Sequence, residues 1–351
     1  MSQPFSTRLE PSEPPKPQLQ LEHVSKFYGP NPEGALKRFE ASGRGGEGLG
    51  LFDVSLTVPQ RQIFVLMGLS GSGKSTLLRL LNGLHKPTAG RIRVGDTYLD
   101  TLGRRELITL RRKRFSGMVF QGFALLPHRT VLGNVMFGLE LQRVPKKNRS
   151  SRAREALKLV GLGGLEERKP GELSGGMQQR LGLARALVLG GDVLLMDEPF
   201  SALDPITRRD LQGELLRLQR RLQKTTVLVT HDMNEALRLG DRVALLKEGR
   251  LQQVGTPEEI VLRPANSYVA SFVAGVDKTA VLTAQSVMAA PVAGAAVPEH
   301  RIGPDTPLQD VIQIAAHYAS VAVVGGEDRL LGTISPQNVL AALGHEFRRG
   351  T

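Results

Sequence analysis

Leu19-Gln20-Leu21-Glu22-His23-Val24 alternates apolar and polar side chains, the period of a strand with one buried and one wet face. Val54-Ser55-Leu56-Thr57-Val58 repeats the pattern. Between them lies a segment, residues 30–50, that reads as a surface insertion, with a short helix at Ala35-Leu36-Lys37-Arg38-Phe39 followed by a glycine-rich stretch. A hairpin is expected over residues 90–100, turning at Gly95-Asp96. Three runs are apolar without alternation: Ile63-Phe64-Val65-Leu66-Met67, Val193-Leu194-Leu195-Met196 and Thr226-Val227-Leu228-Val229. Such runs suit strands buried on both faces of a largely parallel sheet. Helical spacing appears at Thr76, Leu77, Leu80, Leu81 and Leu84, again over residues 150–162, and over residues 210–222. In the last, Leu211, Leu215, Leu218 and Leu222 form a stripe opposite Arg217, Arg220 and Arg221. Strands alternating with helices in this way predict a doubly wound α/β core.

The ends differ from the middle. Residues 1–17 carry Pro4, Pro11, Pro14, Pro15 and Pro17 and read as a disordered tail. Composition shifts after Asp277. There Thr306 and Pro307 open a helix, Val321-Ala322-Val323-Val324 and Leu330-Leu331-Gly332-Thr333-Ile334 are strands, and Ser335-Pro336 opens a final helix. So small an α+β unit buries little surface by itself and is expected to need a partner copy.

Composition narrows the function classes. The 351 residues contain no cysteine, which excludes disulfides and thiolate metal sites. A formal net charge of +12 points to an anionic partner: nucleotide, nucleic acid or lipid head groups. The densest basic cluster, Arg104-Arg105 and Arg111-Arg112-Lys113-Arg114, reads as a solvated helix face, with lipid and nucleic acid as alternatives; few aromatic residues are interleaved for base stacking. No run reaches the roughly 18 apolar residues of a bilayer span, and the N-terminus lacks an apolar export core.

The chemistry concentrates at Gly68-Leu69-Ser70-Gly71-Ser72-Gly73-Lys74-Ser75-Thr76, which sits between an apolar strand and a helix. That context gives the pattern G-x-x-x-x-G-K-[ST] its meaning. Backbone N–H groups of the loop, including Gly68, Ser70, Gly71 and Gly73, curl around an anion, and the helix opening at Lys74, Ser75 and Thr76 adds orphan donors. Lys74 supplies charge for phosphates and Ser75 an oxygen for Mg²⁺. Asp197 and Glu198 stand at the end of a buried strand, suited to metal binding and to polarising a water. His231 follows the next apolar run, and Gln121 follows Met118-Val119-Phe120. Both can reach the metal, the water or the γ-phosphate from such positions. Leu173-Ser174-Gly175-Gly176-Met177-Gln178-Gln179-Arg180 is a second glycine turn opening a helix, hence a second anion site.

In order, Tyr28, GLSGSGKST, Phe120-Gln121, LSGGMQQR, LLMDEP, Ser201-Ala202-Leu203-Asp204 and His231 resemble the ATPase subunits of ABC transporters over residues 19–277. The resemblance implies an ABC-type P-loop NTPase with a RecA-like core, an antiparallel β subdomain and a helical subdomain, over residues 18–277. It implies ATP and Mg²⁺ as cofactors, Glu198 as general base, and Ser75, Gln121 and Asp197 around the metal. It also implies a homodimer in which Ser174, Gly175 and Gly176 grip the γ-phosphate bound to the other copy and Asp204 couples the two sites. Tyr28, or failing it Phe27, stacks on adenine. The segment 30–50, Val119-Phe120-Gln121-Gly122-Phe123-Ala124-Leu125-Leu126-Pro127-His128 and Phe272-Val273-Ala274-Gly275-Val276-Asp277 are similar to the glycine betaine/proline import ATPases, whose cargo is glycine betaine, choline or a related osmolyte. Those carry cystathionine-β-synthase-type modules after the ATPase, and residues 278–351 resemble a single such module where the family usually has a tandem pair. The implied partners are a second copy, membrane permease subunits and, indirectly, a substrate-binding protein at the cytoplasmic face of the cell membrane, with no nucleic acid.

Overall fold

The computed structural model describes residues 17–43, 46–291 and 296–344. Apart from Pro17, which begins a strand, the proline-rich tail lies outside the described residues. The chain divides into a larger unit, Pro15–Val254, and a smaller one that includes Gly255–Thr351.

The larger unit holds two sheets. In the first, β1 (Pro17–Phe27) runs antiparallel to both β2 (Leu49–Pro59) and β4 (Ala89–Val94), and β5 (Thr97–Tyr98) returns on β4 through Gly95 and Asp96. Gly95 has φ +58°, the left-handed conformation the hairpin turn needs. The second sheet comprises β3 (Ile63–Met67), β6 (Phe115–Phe120), β7 (Val193–Asp197), β8 (Thr225–Thr230), β9 (Arg242–Lys247) and β10 (Arg250–Gly255), in the order β10-β9-β3-β8-β7-β6. The pairs β9–β3, β3–β8, β8–β7 and β7–β6 are parallel. All five side chains of β3 are buried, as are all six of β8. Each full burial of a Val, Leu or Phe contributes about 1.5–3 kcal/mol, so these central strands are a rigid platform for the turns that leave them.

The insertion between β1 and β2 contains α1 (Pro32–Ser42), capped by the Asn31 side chain and ended by Gly43 at φ 64°. It is tied down by aromatic packing, because Phe39 meets Phe27 edge-on at 5.7 Å and Phe52 at 4.9 Å. Helix α2 (Lys74–Leu81) ends earlier than the leucine spacing implies. Gly83 turns left-handed at φ +67° just past it and leaves Leu84 55% exposed. Helix α3 (Arg104–Arg114) carries the basic cluster, and not all of it is solvated. Arg111 donates to the Asn82 and Gly83 carbonyls that end α2, and Arg114 pairs with Asp192. Between β6 and β7 the chain forms α4 (Val131–Leu141), α5 (Lys146–Leu159) and α6 (Gly175–Leu187). Helix α7 (Pro205–Leu222) then leads into β8, and α8 (Met233–Leu239) follows it.

The smaller unit begins with α9 (Pro257–Leu262) and α10 (Ser267–Val273). After a short α11 (Ala284–Val287), a three-stranded sheet joins β11 (Arg301–Ile302), β12 (Val321–Val324) and β13 (Leu330–Ile334). Strand β12 pairs parallel with β11 and antiparallel with β13. Helices α12 (Leu308–Ala315) and α13 (Pro336–Leu343) complete it. Helix α12 starts one residue later than its sequence suggests, with Pro307 at the cap position. The Ser335 side chain caps α13 as expected. Among the described residues no helix is long and apolar enough to cross a membrane.

Candidate functional site

Register brings the candidate residues to one edge of the larger sheet. Phe120 lies opposite Asp197, Asp197 opposite Val229, and Met67 opposite Thr230. The residues that leave these strand ends are therefore neighbours: Gly68 after β3, Gln121 after β6, Glu198 after β7 and His231 after β8. The carboxyl edge of a parallel sheet is where open α/β folds bind ligands.

The turn after β3 uses its glycines for close approach. Gly68 (φ +150°) would place a Cβ 2.2 Å from the Leu246 carbonyl oxygen, and Gly73 (φ +101°) would place one 2.5 Å from that of Gly50. Gly71 also has positive φ, +77°, in open space. Ser70 and Gly71 face solvent at the loop's crest. Lys74 folds back into the loop, its Nζ donating to the Gly68 carbonyl at 2.8 Å and the Leu69 carbonyl at 2.9 Å. Burial lowers its pKa below the ordinary lysine value, and the charges of Glu198 and Asp197 act against that shift. Asp197 shifts the other way: burial and the neighbouring Glu198 raise its pKa, while Arg79, Lys74 and a hydrogen bond with Ser75 oppose them. One ammonium thus faces two carboxylates at the foot of a helix.

Glu198 adopts φ 45°, a left-handed conformation uncommon outside glycine, and its N–H donates to Val229 O at 3.0 Å. The Ser201 hydroxyl donates to the Glu198 carbonyl at 3.0 Å, which holds the turn. The Glu198 carboxylate then lies 3.1 Å from His231 Nδ1. A carboxylate fixed against an imidazole, next to a loop of N–H donors and a lysine, can polarise a water aimed at a bound phosphoryl group. Ser75 and Asp197 are hard oxygen donors of the kind Mg²⁺ uses together with substrate phosphates. Among the described residues no cluster of three or more His, Asp or Glu side chains would hold a metal alone. Gln121 is exposed just past β6, and among the described residues no hydrogen bond joins it to this group.

At the loop's far side, the Tyr28 hydroxyl donates to Thr76 Oγ1 at 3.2 Å. The ring keeps 38% exposure, whereas Phe27 is fully buried, so the structure removes Phe27 as the stacking surface. His85 meets the Tyr28 ring edge-on at 5.6 Å, a neighbour brought there by packing across the intervening α1, β2, β3 and α2 and so not visible in the local sequence pattern.

The second glycine turn stands apart. Ser174 caps α6 by accepting from Met177 N at 3.4 Å, and Ser174 and Gly175 are exposed. Gly176 is buried where a Cβ would lie 2.5 Å from Thr207, which lets α6 approach the start of α7. Among the described residues no hydrogen bond or ion pair joins this turn to the Gly68 loop of the same chain. Asp204 is the cap of α7 and accepts from Ile206 N at 3.1 Å and Thr207 N at 3.0 Å; its bonds to Thr207 lower its pKa.

The ABC transporter family matches residues 51–201. The chain is 42% identical over 332 residues to the glycine betaine/proline betaine transport system ATP-binding protein ProV of Salmonella typhimurium, covering 93% of this chain and 82% of that protein. The chain belongs to the ATP-binding subunits of ABC transporters. This ABC subunit is also 50% identical over 278 residues to the glycine betaine transport ATP-binding protein OpuAA of Bacillus subtilis, covering 77% of its own length and 66% of OpuAA. Among solved structures it is similar to the dimeric post-hydrolysis state of the ATP-binding cassette MJ0796 bound to ADP and Pi, with TM-score 0.58 and 34% identity over 68% of this chain and 98% of that one. Like its family, the ABC subunit is an ATPase.

Proposed function

We propose that this chain powers the import of glycine betaine or a related quaternary amine, by hydrolysing ATP between two copies of itself. The observation that carries the hydrolytic reading is the convergence of Lys74, Asp197, Glu198 and His231 at one sheet edge. Glu198 takes the proton of the attacking water, and His231 holds the Glu198 carboxylate and the γ-phosphate side of the site. Lys74 and the N–H groups of the loop, from Gly68 through Thr76, stabilise the charge that develops on the phosphoryl oxygens. Mg²⁺, held by Ser75, Asp197 and Gln121 together with the phosphates, supplies charge neutralisation there. Tyr28 stacks on the adenine.

The turn at Ser174-Gly175-Gly176, exposed at Ser174 and Gly175, is joined to its own Gly68 loop by no hydrogen bond or ion pair among the described residues, which supports a role on the nucleotide of a second copy, with Asp204 between the two sites. The dimeric cassette to which the chain is similar supports the same arrangement. Cargo follows from the names of the relatives, whose similarity extends through 93% of the chain in ProV and so beyond the ATPase unit. Membrane permease subunits, fed by a substrate-binding protein, carry the solute, and this subunit acts at their cytoplasmic face through residues 121–139. Residues 278–351 form a single cystathionine-β-synthase-type module. Co-reconstitution with a glycine betaine permease and its substrate-binding protein tests the reading. Glycine betaine or choline should stimulate ATP hydrolysis, and stimulation by amino acids alone, or by DNA or RNA without a permease, would overturn it.

A further inference from the structure

Behind the hydrolytic pair lies a set of polar groups that the proposed mechanism leaves unused. Glu235, in the first turn of α8, is 6% exposed. Its Oε2 accepts from the Thr230 hydroxyl at 2.9 Å, and that hydroxyl accepts from Asp232 N at 3.1 Å. Asp232 caps the helix by accepting from Glu235 N at 3.2 Å. These bonds encircle residue 231, so they set where its imidazole points. Arg208, in the first turn of α7, reaches across from the other side. Its Nη1 lies 3.7 Å from Asp232 Oδ2, and its Nη2 donates at 3.1 Å to the carbonyl of Leu203, the residue before Asp204.

Two buried atoms in this set have no partner: the Arg208 Nε donor and the Glu235 Oε1 acceptor. Buried polar atoms are normally satisfied, and here one orphan is a donor while the other is an acceptor of opposite charge. We propose that Arg208 and Glu235 are positioning residues for His231, clamping the turn that carries the imidazole to the turn that carries Asp204. The proposal rests on the reading of Glu198 and His231 as the hydrolytic pair. It adds a connection within one chain between the histidine and Asp204, the residue placed between the two sites.

The state of Glu235 sets how firmly the clamp holds. Burial and the charges of Asp232 and Glu198 push its pKa up, against Thr230 and Arg208, to about 7. With Oε2 taken by the Thr230 hydroxyl, the acid proton sits on Oε1 and leaves Arg208 to Asp232 and the Leu203 carbonyl. Once that proton is lost, Oε1 accepts from Arg208 Nε, and the guanidinium is shared between Asp232 and Glu235. The next charged neighbour on α8, Arg238, is engaged with Gln212 and takes no part. The clamp therefore tightens as pH rises through about 7.

The test uses the full-length protein and saturating MgATP, following kcat and KM across that pH range. Wild type should show kcat rising through about pH 7 with KM nearly constant. Glu235→Gln should lack the rise and fall about tenfold below wild type on the alkaline side, the scale of loss expected when a reacting group is misplaced by less than an ångström. Arg208→Lys, which keeps the charge but not the fork, should lose kcat similarly, and the double variant should lose no more than either single one. An unaltered pH profile in Glu235→Gln, or strictly additive losses, would overturn the clamp if His231→Ala is itself impaired. A His231→Ala protein as active as wild type would instead sink the hydrolytic reading and the clamp with it.

Discussion

Replacing Lys74 with Met should separate what the lysine does for binding from what it does for the fold. In the structure Lys74 is 7% exposed and its ammonium bonds two carbonyl oxygens, that of buried Gly68 and that of Leu69, a residue itself 60% exposed. Met matches the stem but cannot donate. The Leu69 carbonyl can turn to water, so one buried acceptor is stranded, at about 1–3 kcal/mol. Removing a buried ammonium relieves a desolvation penalty of several kcal/mol, itself partly offset by Asp197 and Glu198. The two effects nearly cancel, so the thermal midpoint of Lys74→Met should stay within about 4 °C of wild type, roughly 1 kcal/mol for a chain of this size. Nucleotide binding has no such compensation. Charge-assisted hydrogen bonds to phosphate are lost at about 1.5–3 kcal/mol each, so ATP affinity should fall by about a hundredfold.

The pH dependence carries the same sign. Because the folded-state pKa of Lys74 is lowered, the unfolded chain binds more protons as pH approaches the ordinary value of 10.5, and this group's contribution to stability rises with pH there. Lys74→Met should lose that rise. Fluorescent-ATP titration and thermal denaturation over a pH series check both halves. A variant that unfolds yet binds ATP normally would refute the reasoning, as would one destabilised by more than about 3 kcal/mol, the upper end of the cost of one stranded acceptor.

Three further outcomes are expected. Gly73→Ala forces a Cβ to within 2.5 Å of the Gly50 carbonyl oxygen at φ +101°, so it should cost at least about 1–2 kcal/mol of stability by denaturant titration, and a wild-type midpoint would count against the loop geometry. Tyr28→Ala should raise KM for ATP by about 1–3 kcal/mol's worth with kcat little changed, whereas Phe27→Ala, which empties a fully buried site, should lower the thermal midpoint instead. Glu235, with its pKa raised from 4.5 to about 7 in the fold, contributes stability that is whole below about pH 4.5 and is lost as pH rises to about 7. That slope amounts to about 3 kcal/mol and should be absent from urea titrations of Glu235→Gln.

Much of this site could be read from the chain because its parts are local. Gly68 to Thr76 is a strand, a turn needing positive φ, and a helix, and each of these leaves its mark within a few residues. The strand ends bearing Glu198 and His231 were visible as the close of apolar runs, and a parallel sheet places such ends side by side. Less legible were features made by distant packing. Nothing near Glu235 in the sequence shows that it is buried against Thr230, because a Glu in the first turn of a helix is ordinarily a solvated charge favoured by the dipole. Arg111 belonged to a basic run that looks solvated, yet it bonds the carbonyls that end another helix. The end of α2 was overrun because leucine spacing continued past Gly83, where backbone conformation outweighs side-chain periodicity. That Phe27 is fully buried while Tyr28 just beyond the strand keeps 38% exposure could not be read from two adjacent aromatic residues.

Whether Glu198 drives hydrolysis of ATP held between two copies of the chain is decided by the Glu198→Gln protein with MgATP, followed by phosphate release and by light scattering. Hydrolysis should fall by about 10²–10⁴-fold, the contribution of a general base, while ATP doubles the particle mass and ADP does not. Wild-type hydrolysis by that variant, or a monomer in saturating ATP, would contradict that role.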